Sequence, residues 1–142
     1  MSDDENMIAV RRFFDILNNG DFDALESLIA PEFQLHFDSM PVFENRGAGE
    51  FFRGFVSAFP GVHHEILDQF AADGRVATRI VVTGVQNGDF MGMPPTGRKI
   101  SIGAINIHRF SDGLIAEQWV NSDALGMLQQ LGAFPAPAAA EM

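Results

Sequence analysis

The segment EQWVNSD, residues 117–123, places a carboxylate where the last predicted strand ends and a short helix begins. At the mouth of a pocket, Asp123 could take up or deliver a proton during a reaction. At a helix N-terminus, the same side chain accepts backbone N–H bonds and complements the helix dipole, which is worth about 1 kcal/mol. We favour the capping interpretation, because aspartates are common at helix starts. Proton transfer by Asp123 is the alternative.

Three further polar residues, Asn106, His108 and Gln118, lie on the two predicted strands that precede Asp123. An imidazole changes its charge near neutral pH, so His108 is a candidate acid or base that contacts a ligand carbonyl. The alternative is a strand histidine satisfied by backbone or water. Side-chain amides are poor proton carriers, but they donate and accept hydrogen bonds. Asn106 and Gln118 are therefore predicted to orient a ligand.

Two residues at a greater distance in the sequence are weaker candidates for ligand binding. His36 lies in the alternating segment FQLHF and could line the far wall of a pocket, or lie on a partly exposed strand face. Arg79 interrupts an apolar strand, so a buried position would require an anionic partner or ligand. An edge-strand position with the guanidinium in solvent is the other interpretation.

The elements that must position these residues follow from periodicity and turn signals. Helical spacing of apolar residues predicts helices over 7–17, 22–30, 47–59 and 122–131. Segments rich in Ile, Val and Phe predict strands over 33–37, 63–70, 75–86, 99–110 and 114–120. We expect one domain over residues 1–132, followed by a flexible tail at 133–142.

Helices followed by an antiparallel meander predict an α+β domain with the helices on one face of a curved sheet. Such a sheet commonly encloses an apolar pocket between itself and the helices. The chain contains 14 Phe and 7 Met, most of which we assign to the core. Phe14 and Phe55, on the first and third helices, are predicted to line the pocket.

The turn between the last two strands decides which residues face the pocket. A three-residue loop over 111–113 pairs Phe110 with Leu114 and opposes Asn106 to Gln118. Alternation along the strands then places six residues on one face: Ala104, Asn106, His108, Ala116, Gln118 and Val120. A two-residue Asp-Gly loop reverses the pairing and brings His108, Trp119 and Asp123 together. Both registers are compatible with the sequence.

Several other chemistries are disfavoured by the composition and motifs. The chain contains no Cys, and none of its four His is placed as in a common metal motif, so we expect no metal site. The glycines of RGAGEFFRG lack dinucleotide spacing, and no G-x-S-x-G elbow occurs, so we expect no cofactor. A net charge of −10 argues against nucleic acid. With no signal peptide or long apolar segment, we expect a cytoplasmic protein that does not bind membranes.

Three segments near the C-terminus resemble one known family. GDFMGMPPTGRKI, HRFSDGLIAEQW and the pattern D-x-x-G-x-L-Q-Q-L-G, which together span about residues 88–132, are similar to SnoaL-like polyketide cyclases. The resemblance implies the cone-shaped α+β fold of nuclear transport factor 2. It also implies a cofactor-free aldol closure, in which an aspartate and a histidine move protons inside an apolar pocket. Homodimers through the exposed sheet face are expected by analogy.

The catalytic residues of that family do not carry over to this chain. An ungapped alignment places the family's aspartate at Val120 and its histidine at Asn106, and neither of these residues can exchange a proton. If the chain is an enzyme, His108 and Asp123 are the surrogate pair. The absence of Tyr removes the phenol that ketosteroid isomerases of this fold use.

The sequence therefore predicts a protein that binds a hydrophobic, carbonyl-bearing small molecule, with aldol-type cyclisation or related proton transfer as its reaction. Val120 and Ala104 are predicted to form part of the ligand site. One alternative is a binding module or dimeric scaffold without catalysis. The other is hydration or epoxide opening by a carboxylate–arginine pair formed by Asp123 and Arg79.

Overall fold

A computed structural model of the protein describes residues 2–135. The helices are α1 (Asp3–Asn19), α2 (Phe22–Glu26), α3 (Asn45–Ala58) and α4 (Ala124–Gln130). The strands are β1 (Ile29–Phe37), β2 (Phe43–Glu44), β3 (His63–Ala72), β4 (Arg75–Val85), β5 (Lys99–Ser111) and β6 (Leu114–Ser122). Of the predicted tail at 133–142, residues 136–142 lie outside the described part. None of the described helices is long and apolar enough to cross a membrane.

The six strands form one curled sheet in the order β2-β1-β6-β5-β4-β3. All neighbouring strands are antiparallel except β1 and β6, which run parallel. The prediction of helices packed on a curved, mostly antiparallel sheet is confirmed. The parallel pair was not predicted, because one helix and four strands lie between β1 and β6 along the chain.

Helix α1 starts four residues before its predicted boundary. Ser2 and Glu5 form a capping box in which the Ser2 hydroxyl accepts the Glu5 backbone N–H, and the Glu5 carboxylate accepts the Ser2 N–H. This arrangement satisfies two N–H groups that a helix start would otherwise leave unpaired. The apolar face of α1 packs on β3 and β4, with Val10 and Phe13 fully buried.

Strand β1 begins earlier than predicted, and the second helix is correspondingly shorter. Helix α2 ends at Glu26 and the strand already runs from Ile29, so Pro31 lies within the strand. Pro31 is exposed and lies between Ile29 and Gln34, where the pairing of β1 with β6 is interrupted and a missing N–H is tolerated. Phe33 and Leu35 face the core and are fully buried.

The β5–β6 hairpin has the two-residue turn, which is the second of the two alternatives that the sequence allowed. Ser111 pairs with Leu114 across a two-residue Asp-Gly turn, in which both turn residues have positive φ. A bulge follows, because Phe110 pairs with Ile115 whereas Arg109 pairs with Glu117. The predicted pairing of Phe110 with Leu114 is therefore wrong.

The bulge nevertheless restores the predicted face. Beyond it, Asn106 pairs with Val120 and His108 with Gln118. Compared with the three-residue loop, the turn is one residue shorter, and the bulge adds one residue to β6. The two changes cancel, so the same residues face inward. The six residues expected on the inner face are all buried: Ala104, Asn106, His108, Ala116, Gln118 and Val120.

Candidate functional site

A cavity of about 450 Å³ lies between the inner face of the sheet, helices α1, α3 and α4, and the loop after β4. We call this cavity the chamber. Its walls are mostly apolar, and aromatic rings dominate them. Phe14 of α1 and Phe55 of α3, both predicted as lining residues, lie on the wall together with Phe51 and Phe90. The volume falls within the usual range for small-molecule sites.

The part of the sheet that closes the chamber carries four of the predicted ligand residues. Ala104, Asn106, Gln118 and Val120 all line the chamber. The Gln118 Nε2 donates to Asn106 Oδ1 at 2.9 Å, in a position where both side chains are buried. One N–H₂ group, on Asn106, and one carbonyl oxygen, on Gln118, are left without a partner among residues 2–135.

His108 is not brought to the chamber. Its ring is fully buried and packs edge-on against Phe13 at 4.9 Å and Phe14 at 5.8 Å between centroids. Burial lowers the pKa of His108 to about 3, so the ring is neutral. Neither ring nitrogen has a hydrogen-bond partner in the described chain. The structure therefore places His108 behind the chamber wall and not at the predicted ligand site, because Phe13 and Phe14 enclose its ring.

Asp123 is a helix cap. Its carboxylate accepts the backbone N–H of Gly126 at 2.9 Å at the start of α4, and the residue is exposed. A side chain at position 126 would collide with this carboxylate, since an added Cβ would lie 2.2 Å from Asp123 Oδ2. Asp123 does not line the chamber. The capping interpretation agrees with this geometry, and the structure does not bring Asp123 to the pocket position that the acid or base assignment required.

His36 and Arg79 lie on the outer face of the sheet, away from the chamber. The His36 ring stacks on Trp119 at 5.3 Å, and its Nε2 is 2.7 Å from Glu117 Oε2. Arg79 Nη2 contacts Asp68 Oδ2 at 2.6 Å, with both side chains about half exposed. The structure does not bring either residue to the chamber where it was predicted to bind the ligand, because strand alternation turns both of them outward.

Asp38, which the sequence reasoning missed, supplies a carboxylate at the chamber. It follows β1 directly and adopts positive φ (49°). Its N–H donates to the carbonyl of Val120 at 2.9 Å. Its carboxylate accepts the Ser122 N–H at 2.7 Å and the Ser122 hydroxyl at 2.5 Å. The segment DSMP after FQLHF could be recognised as a turn. Only the parallel pairing of β1 with β6 brings Asp38 of this turn to the chamber.

His64 is the second polar residue of the chamber that the sequence reasoning missed. It lies on β3, where its Nδ1 is 2.8 Å from Asn18 Oδ1 of α1, and Phe14 and Phe55 flank its ring. Burial, with a smaller effect of the charge on His63, lowers the pKa of His64 to about 4. His63 faces outward, as expected for adjacent residues of a strand. Alternation alone did not identify which of the two faces inward.

The ionisable groups of the described residues do not form a metal centre, since no group of three or more His, Asp or Glu side chains converges there. The polar residues that line the chamber lie in three places: Asp38 with Ser39 and Ser122 beside β6, the Asn106–Gln118 pair on β5 and β6, and His64 on β3. A carboxylate and a neutral imidazole can accept a proton, and the two amides can form hydrogen bonds with a ligand in a mostly apolar space.

Comparison with known proteins relates this architecture to one family. A family model described as SnoaL-like polyketide cyclase matches residues 7–131. A protein from Jannaschia sp. CCS1 described as a SnoaL-like polyketide cyclase has a TM-score of 0.86 at 24% identity, over 94% of this chain and 95% of that chain. The chain has no significant match among curated protein sequences.

Two structures from Streptomyces are also similar. IdmH from Streptomyces antibioticus, described as a polyketide cyclase, is 30% identical with a TM-score of 0.78, over 89% of this chain and 98% of that chain. AclR from Streptomyces galilaeus, described as a hydroxylase, is 26% identical with a TM-score of 0.89, over 99% of this chain and 88% of that chain. The family match includes every strand of the sheet and all of α4, and we conclude that the chain belongs to the SnoaL-like polyketide cyclase family.

Proposed function

We propose that this protein binds an apolar, carbonyl-bearing small molecule in the chamber and moves a proton at the carbon next to the carbonyl, without a cofactor. The observation that carries this proposal is that Asp38, an acidic residue, lines a cavity whose walls are mostly apolar. Ring closure of the aldol type begins with such a proton removal. The reaction class is therefore the one that the family name describes.

The walls of the chamber favour a flat, hydrophobic ligand. Phe14, Phe51, Phe55 and Phe90 present ring faces and edges, against which an aromatic or conjugated ligand packs well. Water in such a space makes few hydrogen bonds, so its release on ligand binding is favourable. A volume of about 450 Å³ suits a ligand of a few fused rings rather than a folded peptide.

The Asn106–Gln118 pair supports binding of the carbonyl. Two neighbouring amides that share one hydrogen bond always leave one N–H₂ group and one carbonyl oxygen free, whichever way each amide is turned. An unpaired buried donor costs about 1–3 kcal/mol, so a ligand oxygen that accepts from it is stabilised. The same donor strengthens its bond when the oxygen gains negative charge as an enolate.

Asp38 is the proton acceptor in this proposal. Its N–H donates to the carbonyl of Val120, the position at which the resemblance placed the family's aspartate, so the carboxylate here comes from the residue after the neighbouring strand β1. The two bonds from Ser122 fix its orientation but use only part of its capacity as an acceptor. The carboxylate takes the proton from carbon, the enolate oxygen accepts from the amide, and the proton returns to carbon or passes to a new alkoxide.

Deuterium uptake tests the assignment of Asp38. The methyl ester of 3-(2-naphthyl)-3-oxopropanoic acid offers an aromatic ring, two carbonyls and an acidic carbon between them. In D₂O we expect the protein to accelerate deuterium uptake at that carbon, and Asp38→Asn to reduce the catalysed rate about a hundredfold, as for loss of a general base. Proton NMR measures the uptake.

Asp123→Asn is the matched control, because it makes the same chemical change at an exposed helix cap outside the chamber. It is expected to retain the uptake rate and to lose only some stability. Equal rates for wild type and Asp38→Asn, in protein shown to bind the ester, would refute the role of Asp38 and leave the alternative of a binding module. Val120 at the family's catalytic position favours that alternative.

The two residues proposed for a hydratase or epoxide hydrolase do not lie in one site. Arg79 and Asp123, which it required in one site, lie outside the chamber, with Arg79 paired to Asp68 in solvent. An epoxide hydrolase of Mycobacterium tuberculosis described as LEH-like matches at 18% identity with a TM-score of 0.73, which shows the shared fold alone.

We further propose that two copies associate through the outer face of the sheet. One row of paired residues crosses this face from Phe70 through Ala77 and Ile107 to Trp119. Phe70 is 69% exposed and Ile107 is 37% exposed, which is costly for large apolar side chains in a monomer. Arg79 and Asp68 on this face pair with each other within the chain, so these two groups bring no unpaired charge to the contact.

A further inference from the structure

We infer that the ligand of the chamber carries a hydroxyl group, phenolic or enolic, that donates a hydrogen bond to Nε2 of His64 at the end of the chamber opposite Asp38. This inference rests on the proposed function and specifies the class of its ligand. It follows from the tautomer of His64, from its position on the sheet and from what surrounds it.

The tautomer of His64 is fixed by Asn18. The backbone N–H of His64 donates to Asn18 Oδ1 at 2.7 Å, and Asn18 Nδ2 donates to the His64 carbonyl at 3.3 Å. The His64 N–H requires an oxygen and the His64 carbonyl requires an N–H₂ group, so the orientation of the Asn18 amide is determined. His64 Nδ1 then lies 2.8 Å from an oxygen and must carry the hydrogen. In a neutral ring, Nε2 therefore has a lone pair and no hydrogen.

The ring is neutral near neutral pH, since burial lowers its pKa to about 4. Its Nε2 makes no hydrogen bond with any residue from 2 to 135. It is also not one of the fully buried polar atoms that lack a partner. The nitrogen is thus accessible and His64 lines the chamber. An accessible acceptor in an apolar space is best satisfied by a donor on the ligand.

The donor is a neutral hydroxyl rather than an ammonium group. Phe14 and Phe55 flank the ring, and the only carboxylate that lines the chamber within the described chain is Asp38. An ammonium group at His64 would be removed from water without a counter-charge beside it, which is strongly unfavourable. A ketone or ether at the same place would leave Nε2 unpaired.

The distance between the two polar ends implies an extended ligand. His64 lies on β3 and Asp38 follows β1, and three strands separate β3 from β1 in the sheet. Strand neighbours are about 4.8 Å apart, so the two groups are separated by roughly 15–20 Å along the curled sheet and by less across the chamber. The Asn106–Gln118 pair lies between them. A fused-ring ligand with its hydroxyl and its reacting carbonyl at opposite ends fits this order.

A pair of fluorescent probes tests the inference. 6-Acetyl-2-naphthol and its methyl ether have the same ring and carbonyl and differ only in the hydroxyl hydrogen. Fluorescence titration near neutral pH should give a Kd for the naphthol at least tenfold below that for the ether. In His64→Phe, which keeps a flat ring but removes the acceptor, this preference should disappear. His63→Phe, on the same strand but facing outward, is the matched control and should retain it.

The outcomes separate this inference from the proposed function. Tight and equal binding of both probes to wild type, or an undiminished preference in His64→Phe, would overturn the hydroxyl while leaving ligand binding intact. Failure of both probes to bind would overturn both proposals. If His64→Phe does not fold, ¹⁵N NMR of the wild-type ring decides: the naphthol, and not the ether, should shift Nε2 from its unprotonated position, and no difference would overturn the inference.

Discussion

At the scale of single residues, the polar side chains of the inner face have different roles although they share one alternation pattern. Asn106 and Gln118 line the chamber, whereas His108, two residues further along β5, is enclosed by Phe13 and Phe14. The sequence could place all three on one face, because strand periodicity determines faces. It could not show that two rings from a distant helix cover the third residue.

The buried ring of His108 makes a prediction about stability. Two unpaired nitrogens in a dry site are unfavourable, so His108→Leu should be as stable as wild type or about 1 kcal/mol more stable near neutral pH. The pKa values of His108 (about 3) and His64 (about 4) lie below the ordinary 6.5, so the unfolded chain binds protons first as the pH falls. Stability is therefore lost below about pH 6.5.

The size of that loss distinguishes the variant from wild type. Between neutral pH and pH 5, each of the two histidines should lower the unfolding free energy by about 2 kcal/mol. Wild type should therefore lose about 4 kcal/mol and His108→Leu about 2 kcal/mol. Glu5 and Glu117, whose pKa values lie below 4.5, lose their contributions at lower pH. Urea unfolding at the two pH values measures this. An equal loss in both proteins would show that the pKa of His108 is not depressed.

At the scale of elements, the hairpin of β5 and β6 shows what a sequence can and cannot predict. The Asp-Gly turn and both strands were recognisable from residue types. The bulge at Ala116 was not, because an extra residue in a strand has no signature in composition or periodicity. The same holds for Asp38, which becomes a chamber residue only through the parallel pairing of β1 with β6.

Deletion of Ala116 tests the importance of the bulge. Because the pairs on both sides of Ala116 stay in place when it is removed, Gln118 and Val120 should remain on the inner face. We expect the deletion to fold, to keep probe binding and to lose about 1–3 kcal/mol of unfolding free energy, since the buried Ala116 side chain and its contacts are lost. Ala116→Gly keeps the bulge and should cost only about 1 kcal/mol. Loss of probe binding in a deletion variant that folds, seen in titrations of the two proteins side by side, would show that the bulge itself shapes the chamber.

At the scale of the whole molecule, the two faces of one sheet differ in what they present. The inner face closes the chamber in which we propose that a ligand binds, and the outer face presents the apolar row from Phe70 to Trp119. The fold class and the general nature of the chamber could be predicted from helix and strand patterns and from the family resemblance. The curl of the sheet, which brings residues of α1, β1 and β3 around one cavity, depends on contacts far apart in sequence.

The proposed dimer is tested by a charge on the outer face. Ile107→Glu places a carboxylate in the centre of the row, and two such charges would face each other across the contact. Light scattering should then change from twice the mass of the 15.5 kDa chain to the single mass. Ile8→Glu, at an equally apolar and 60% exposed position on α1, is the control that should remain dimeric. A wild-type protein with the mass of one chain would contradict the dimer.

The central claim is that the chamber both holds a carbonyl ligand and removes a proton from it. Deuterium uptake into the naphthyl keto ester by the wild-type protein, at ester concentrations that saturate the chamber, tests this most directly. We predict an initial rate that rises with protein concentration, saturates with ester and exceeds the rate in buffer at least a hundredfold. An ester that binds in the chamber but exchanges no faster than in buffer would contradict the claim.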